Sequence, residues 1–217
     1  MAVFIGKQEL IKSNAESKIF ICTQCGECCY IRENKNITKK EEDSFKNYLF
    51  RHYGIIYLAD LSEITISLIP EEKDRLENEA KKRNLELAIK PKRAIYDKKE
   101  DRLIILDYFI DHDICPFFDI KSKNCTVYDI RPTICRSYPL TTTKSYGKCK
   151  YKKLDFMAYD KELTQAKNSE DLIKRQKELI KKMISSEEII IPKTIDEKEM
   201  EHMIKTAKIV ELRLDKK

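Results

Sequence analysis

Apolar positions along the chain fall into two periods, one of three to four residues and one of short β-branched runs, and together they predict a mixture of helices and strands. Thr38-Lys39-Lys40-Glu41 has the form of a capping box, and Phe45, Tyr48 and Leu49 follow at helical spacing as a buried stripe. A helix from about Lys39 to His52 is therefore expected, closed by Gly54. Ile55-Ile56-Tyr57-Leu58 and Ile64-Thr65-Ile66-Ser67-Leu68 read as strands, and Pro70-Glu71-Glu72 opens a polar helix toward Asn84. From Ile89 the chain is extended again. Arg93-Ala94-Ile95-Tyr96 and Leu103 to Phe109, separated by the charged turn Asp97 to Asp101, form a hairpin that delivers the chain to Cys115. Two amphipathic helices follow near the C-terminus. One is capped by Ser169 and runs to about Met183 with Leu172, Ile173, Gln176, Leu179, Ile180 and Met183 on one face. The other starts at the capping box Thr194-Ile195-Asp196-Glu197 and continues its apolar face through Met200, Met203, Ile204 and Ala207.

These elements define an α+β chain: a small, irregular, cysteine-rich metal-binding domain over 1–155 and a C-terminal helical extension over 156–217. With 217 residues, 41% of them hydrophobic, there is material for one ordinary core and a modest appendage. The 43 Lys and Arg against 37 Asp and Glu leave a charge of only +6, with the signs interspersed, so a solvated surface is expected and nucleic acid is not an expected partner. The opening Met1-Ala2-Val3-Phe4-Ile5 turns charged at Lys7, which is neither a secretory leader nor a membrane span. The expectation is a cytoplasmic protein with no membrane partner.

Eight cysteines change the picture, because a reducing cytosol does not let thiols persist as structural disulfides. Only four glycines and six prolines are present, too few for a loop-rich disulfide scaffold. All eight lie between Cys22 and Cys149. In Cys22-Thr23-Gln24-Cys25-Gly26-Glu27-Cys28-Cys29, three thiols recur at intervals of three and a fourth stands next door, so a short turn of backbone directs several sulfurs at one centre. Gly26 permits the close approach that a side chain would obstruct. The repeated Cys-x2-Cys step is shared by ferredoxin runs and zinc knuckles. Consecutive side chains diverge, so Cys28 and Cys29 do not both serve one ion comfortably.

Cys115, Cys125 and Cys135 follow at ten-residue steps, and Cys149 comes fourteen later. Cys115 to Asp119 and Cys125 to Asp129 are extended pieces joined by the polar turn Ile120 to Asn124, a hairpin that brings two sulfurs together. Arg131-Pro132 starts a helix that lifts Cys135 back toward them. The metal ligands are thus expected among Cys22, Cys25, Cys28, Cys29, Cys115, Cys125 and Cys135. Arg131 and Arg136 stand ready to neutralise an anionic centre, and Tyr128, Tyr138, Phe117 and Phe118 to exclude water from it.

The arrangement resembles the YkgJ-like cysteine-cluster proteins, described as a zinc- or iron-chelating domain. The resemblance is carried by Cys22-x2-Cys25-Gly26-x-Cys28-Cys29, by Cys115-Pro116-Phe117-Phe118, and by Cys125-Thr126-Val127-Tyr128-x2-Arg131-Pro132-x2-Cys135-Arg136-x-Tyr138-Pro139. It implies a cysteine-ligated metal centre, and a more distant similarity to the flagellin lysine methylases implies an iron-sulfur cluster. No glycine-rich loop for adenosylmethionine is visible, and the long stretch between Cys29 and Cys115 leaves a substrate region unassigned.

Three readings follow. The first is an iron-sulfur protein, 4Fe-4S in type, with a redox or protein-modifying role and an electron donor or protein substrate as partner. The second is a four-thiolate zinc module for structure or interaction. The third is a mononuclear or dinuclear iron enzyme with His112 as nitrogen ligand. His52 and His202 fall on predicted helices far from any cysteine. No catalytic residue is assigned from the sequence.

Overall fold

The computed structural model describes residues 3–5, 8–10, 26–31, 37–61, 66–137, 171, 174–182 and 197–214. The chain forms two compact units, one of Met1–Ile31 with His112–Lys174 and one of Arg32–Asp111 with Arg175–Lys217. Helices and strands are both present, and the architecture is α+β.

In the second unit, α1 (Lys39–Tyr53) is capped as expected: Thr38 Oγ1 accepts the Glu41 N–H at 3.3 Å and the Glu41 carboxylate accepts the Thr38 N–H at 2.9 Å. Gly54 ends it in the left-handed region at φ +63°, its N–H donating to Phe50 O. The expected stripe needs correction. Phe45 and Tyr48 are 40% and 50% exposed, and the buried residue is Phe50. One residue is a rotation of about 100° on a helix, so the buried direction lies round the axis from the one the spacing suggested. Phe45 instead packs edge-on against the half-buried Tyr57 beyond the helix, and Tyr48 is tilted against His52 at 4.5 Å.

Five strands make one sheet. β3 (Ile55–Tyr57), β5 (Ile89–Asp97), β6 (Arg102–Ile110) and β4 (Ser67–Leu68) are antiparallel neighbours in that order, and β9 (Lys208–Glu211) runs parallel to the start of β6. Leu103 to Ile110 are all buried, because β6 has partner strands on both sides and covered faces. The β5–β6 turn is built around Asp97, fully buried, which accepts the Lys99 and Glu100 N–H groups and pairs with Arg102 at 2.7 Å. Before β5, α2 (Pro70–Lys82) begins at Pro70 as expected, with the Glu72 carboxylate accepting the Ile69 N–H.

The register of β5 on β6 slips twice. Pro91 faces Tyr108, Arg93 faces Asp107 and Ala94 faces Ile105, so Lys92 and Leu106 are each left out of the ladder. Arg93 holds Asp107 by three hydrogen bonds of 2.6 to 3.1 Å. The carbonyl of Leu106 is met by Gln176 Nε2 at 3.0 Å, which explains a buried glutamine on the apolar face of α4 (174–182). Ile180 of α4 joins Ile95, Ile104, Leu106 and Leu212 in one core. Ser169, Leu172, Ile173 and Met183 lie outside the described residues. Replacing Gln176 by leucine is expected to cost about 1 to 3 kcal/mol in urea unfolding, since the Leu106 carbonyl stays buried without a donor.

α5 (Glu197–Thr206) bears buried Met203 and is followed by buried Ala207, while Thr194 lies outside the described residues. β9 was not expected. Its end is tied down by Glu211, which accepts from Lys73 at 2.7 Å and Tyr108 at 2.6 Å and contacts Arg213; these hydrogen bonds override the opposing effect of burial and hold its carboxyl down at about 2. Among the described residues no helix is long and apolar enough to cross a membrane.

In the first unit, β1 (Val3–Ile5) and β2 (Gln8–Leu10) pair as an antiparallel hairpin. A single helical turn spans Glu27–Cys29. β7 (Phe118–Asp119) and β8 (Asn124–Cys125) form the hairpin expected between Cys115 and Asp129. A second short turn at Tyr128–Ile130 leads through Pro132 into α3 (Thr133–Ser137), where the sequence placed a helix.

Candidate metal centre

Backbone hydrogen bonds join the two cysteine groups directly. Cys115 N–H donates to Cys29 O at 2.8 Å, Ile31 N–H donates to Asp113 O at 2.9 Å, and Tyr30 pairs with Ile114 between them. The 85 residues separating Cys29 from Cys115 in sequence are thereby looped out, and the two segments lie side by side. The tight turn before them closes with Cys29 N–H on Gly26 O at 2.8 Å. Gly26 sits at φ +76°, and a Cβ placed there would lie 2.0 Å from the tip of the Phe118 ring. Phe118 is itself wedged edge-on against Tyr30 and sits opposite Cys125 in the β7–β8 register. Phe117 is buried beside it, and its backbone carbonyl takes both the N–H and the hydroxyl of Thr126.

Cys28, Cys29, Cys115, Cys125 and Cys135 are thiols rather than half-cystines. Cys28 is exposed and the others half-buried. Their proximity shows in how they titrate. Cys29 is pushed far above an ordinary thiol, first by its hydrogen bond with Cys28, then by burial and by the charges of Cys28, Cys115 and Cys125. Cys115 is pushed up to about 12 by burial, with Cys125 and Cys28 adding and the Phe117 N–H opposing. Cys135 is raised well above the usual range by burial, then by Cys115 and Cys28, while Arg131 pulls the other way. Thiols from four separate pieces of backbone thus share one neighbourhood. Each would gain from a cation in place of its proton, the condition under which thiolates bind metal.

Among the described residues, no three Cys, His, Asp or Glu side chains are already gathered to hold an ion. Cys22, Cys25, Cys149 and Tyr138 lie outside those residues. The donors present fit a thiophilic metal, since sulfur predominates and the nearest cation reinforces the anionic state. His112 precedes this segment and is half-buried, whereas His52 and His202 are exposed on α1 and α5.

The two arginines are placed differently. Arg131 lies over the Tyr128 ring at 3.6 Å, donates to Tyr128 O at 3.0 Å, and acts on the Cys135 thiol. Arg136 is exposed, and its guanidinium donates to Thr133 Oγ1 at 3.2 Å on its own helix. Two residues escaped the sequence reading. Phe118 was expected only as a water-excluding aromatic, and nothing in the sequence showed that its ring fills the space a Gly26 side chain would need. Asn124, read as part of a polar turn, has its Oδ1 buried without a hydrogen bond next to Cys125. Arg131→Leu is expected to lower metal retention under a mild chelator clearly more than Arg136→Leu, with Arg131→Lys between, as measured by bound metal per chain.

An α+β fold that converges cysteines from distant segments on one another defines a protein of the thiolate metal-chelating class. Residues 21–161 match the CxxCxxCC family, described as a "putative zinc- or iron-chelating domain", and the chain belongs to that family. The match takes in all eight cysteines, including Cys149, which lies beyond the pattern ending at Pro139. No curated protein and no solved structure matches the chain.

Proposed function

We propose that this chain is a cytoplasmic iron-sulfur protein with a cluster of the 4Fe-4S type, acting in electron transfer or protein modification. The observation that carries the reading is the pairing of the two cysteine segments, in which Cys115 N–H donates to Cys29 O at 2.8 Å, with Cys22, Cys25 and Cys28 preceding the one in sequence and Cys125 and Cys135 following the other. The Cys-x2-Cys step repeated through Cys22, Cys25 and Cys28 is the spacing of ferredoxin runs, which supports a cluster. When bound, such a cluster would supply one-electron chemistry. Cys115 and Cys135 would hold it from the half-buried side, Arg131 would offset its negative charge, and Phe117 and Phe118 would limit water. Cys28 and Tyr30, both exposed, would mark the edge offered to an electron donor or a protein substrate.

A zinc module is the second reading, because the family description admits zinc as readily as iron. Anaerobic purification followed by iron, sulfide and zinc analysis separates the two. Iron and sulfide in comparable amounts, broad visible absorption and a paramagnetic signal on reduction are expected. Colourless protein with stoichiometric zinc, obtained from cells given ample iron, would overturn the iron-sulfur reading.

A further inference from the structure

Away from the cysteines, the two compensating slips in the β5–β6 register leave Lys92 on β5 out of the ladder. A bulge of this kind turns a side chain out of the regular alternation, and bulges recur beside reactive sites for that reason. The Lys92 amine reaches Ser67 Oγ on β4 at 2.6 Å. Its carbonyl accepts the Leu58 N–H at 2.8 Å, so the backbone beneath the amine is fixed. Lys92 and Ser67 are both half-buried, neither sealed in the core nor free in water.

The charges around the amine are of both signs, so its partial burial is what works against the proton. Arg93 is its chain neighbour, and Asp107 on β6 is held by three hydrogen bonds to that arginine. Tyr57, opposite Arg93 on β3, is itself raised to about 12, chiefly by burial and by Asp107, and so stays neutral. The strands packed around Lys92 therefore present one cation, one carboxylate already engaged, one neutral phenol and one hydroxyl. Partial desolvation of an amine favours its neutral form, the one with a nitrogen lone pair free for nucleophilic attack.

We propose that Lys92 and Ser67 form a carbonyl-capturing site, in which the Lys92 amine makes a Schiff base with a small aldehyde or ketone. The Nζ lone pair forms the C–N bond while the carbonyl π pair moves to oxygen. Nitrogen gives up a proton and oxygen takes one. The C–O bond then breaks with water as leaving group, on a proton relayed from solvent through the Ser67 hydroxyl, while the nitrogen lone pair closes the C=N bond, and the iminium so formed returns its remaining N–H proton to solvent. Amine and carbonyl become imine and water, with no change of oxidation state. The direction of the amine's titration agrees: burial lowers it, Asp107 opposes, and Arg93 adds to the lowering.

The test is trapping by reduction. The full chain is incubated at neutral pH with limiting butyraldehyde, reduced with borohydride and mapped by peptide mass spectrometry. Lys92 is expected to carry the adduct several-fold more than exposed Lys98 or Lys208, and to reach half-maximal labelling at a lower pH than either. Ser67→Ala should slow labelling of Lys92 several-fold while leaving that pH midpoint nearly unchanged. Labelling of Lys92 at or below the exposed lysines, or a Ser67→Ala rate equal to wild type, overturns the proposal and leaves the Lys92–Ser67 contact as a strut between strands. Both measurements use folded chain, so they do not depend on a Lys92 variant folding.

Discussion

Cys115→Ser is expected to strip nearly all of the metal from the protein while leaving the sheet of the other unit folded. Cys115 is central to the thiol group: its N–H is bonded to Cys29 O, its carbonyl accepts from Phe118 N–H, and its thiol is raised by the charges of Cys125 and Cys28 on top of burial. Serine keeps the backbone bonds and removes the thiolate, so the loss reads the ligand and not the fold. The measurement is metal per chain after anaerobic gel filtration, with circular dichroism as the folding control. Retention of metal at the wild-type level by Cys115→Ser would exclude it from the ligand set. Because burial and neighbouring thiols hold Cys115 at about 12 without metal, binding must displace protons. Metal retention should therefore rise with pH and fall on acidification.

Gly26→Ala is expected to be nearly as damaging without touching a sulfur. An L-residue at φ +76° costs about 1 to 2 kcal/mol from backbone strain alone. The added methyl also meets the Phe118 ring, which must leave its place against Tyr30 or push the turn away. Either movement displaces Cys28 and Cys29, which follow in the same turn. Metal content is expected to drop well below wild type, and the double variant Gly26→Ala with Phe118→Ala should recover part of it by opening the space. A double variant no better than Gly26→Ala would assign the loss to backbone strain and not to the ring.

The helix α1, its capping box and Gly54 stop, the Pro70 start of α2, the β5–β6 hairpin and the hairpin between Cys115 and Cys125 were all legible in the residues. Each is written by local chemistry: a hydroxyl three residues before a carboxylate, a proline with its fixed φ, alternation on either side of a charged turn. The cysteine spacings likewise announced a thiolate centre and the family. The buried face of α1 was misjudged because its exposed aromatics pack on other rings, Phe45 on Tyr57 of β3 and Tyr48 on His52, and periodicity does not tell such a cluster from a core.

Other features belong to the tertiary structure alone. Nothing local distinguishes Arg131 from Arg136, yet one lies on Tyr128 beside Cys135 and the other on Thr133. Ile209 and Val210 have strand chemistry, but their parallel place on β6 depends on a strand about a hundred residues earlier in the chain. Gln176 looked like one more position on an amphipathic face until the β5–β6 slip left Leu106 needing a donor. The same slip set Lys92 beside Ser67. Sequence determined the local elements and the ligand chemistry, because those depend on neighbours within a few bonds. Which arginine serves the thiols, which strand closes the sheet and where the register slips were decided by contacts between residues far apart in the chain, whose geometry no local pattern encodes.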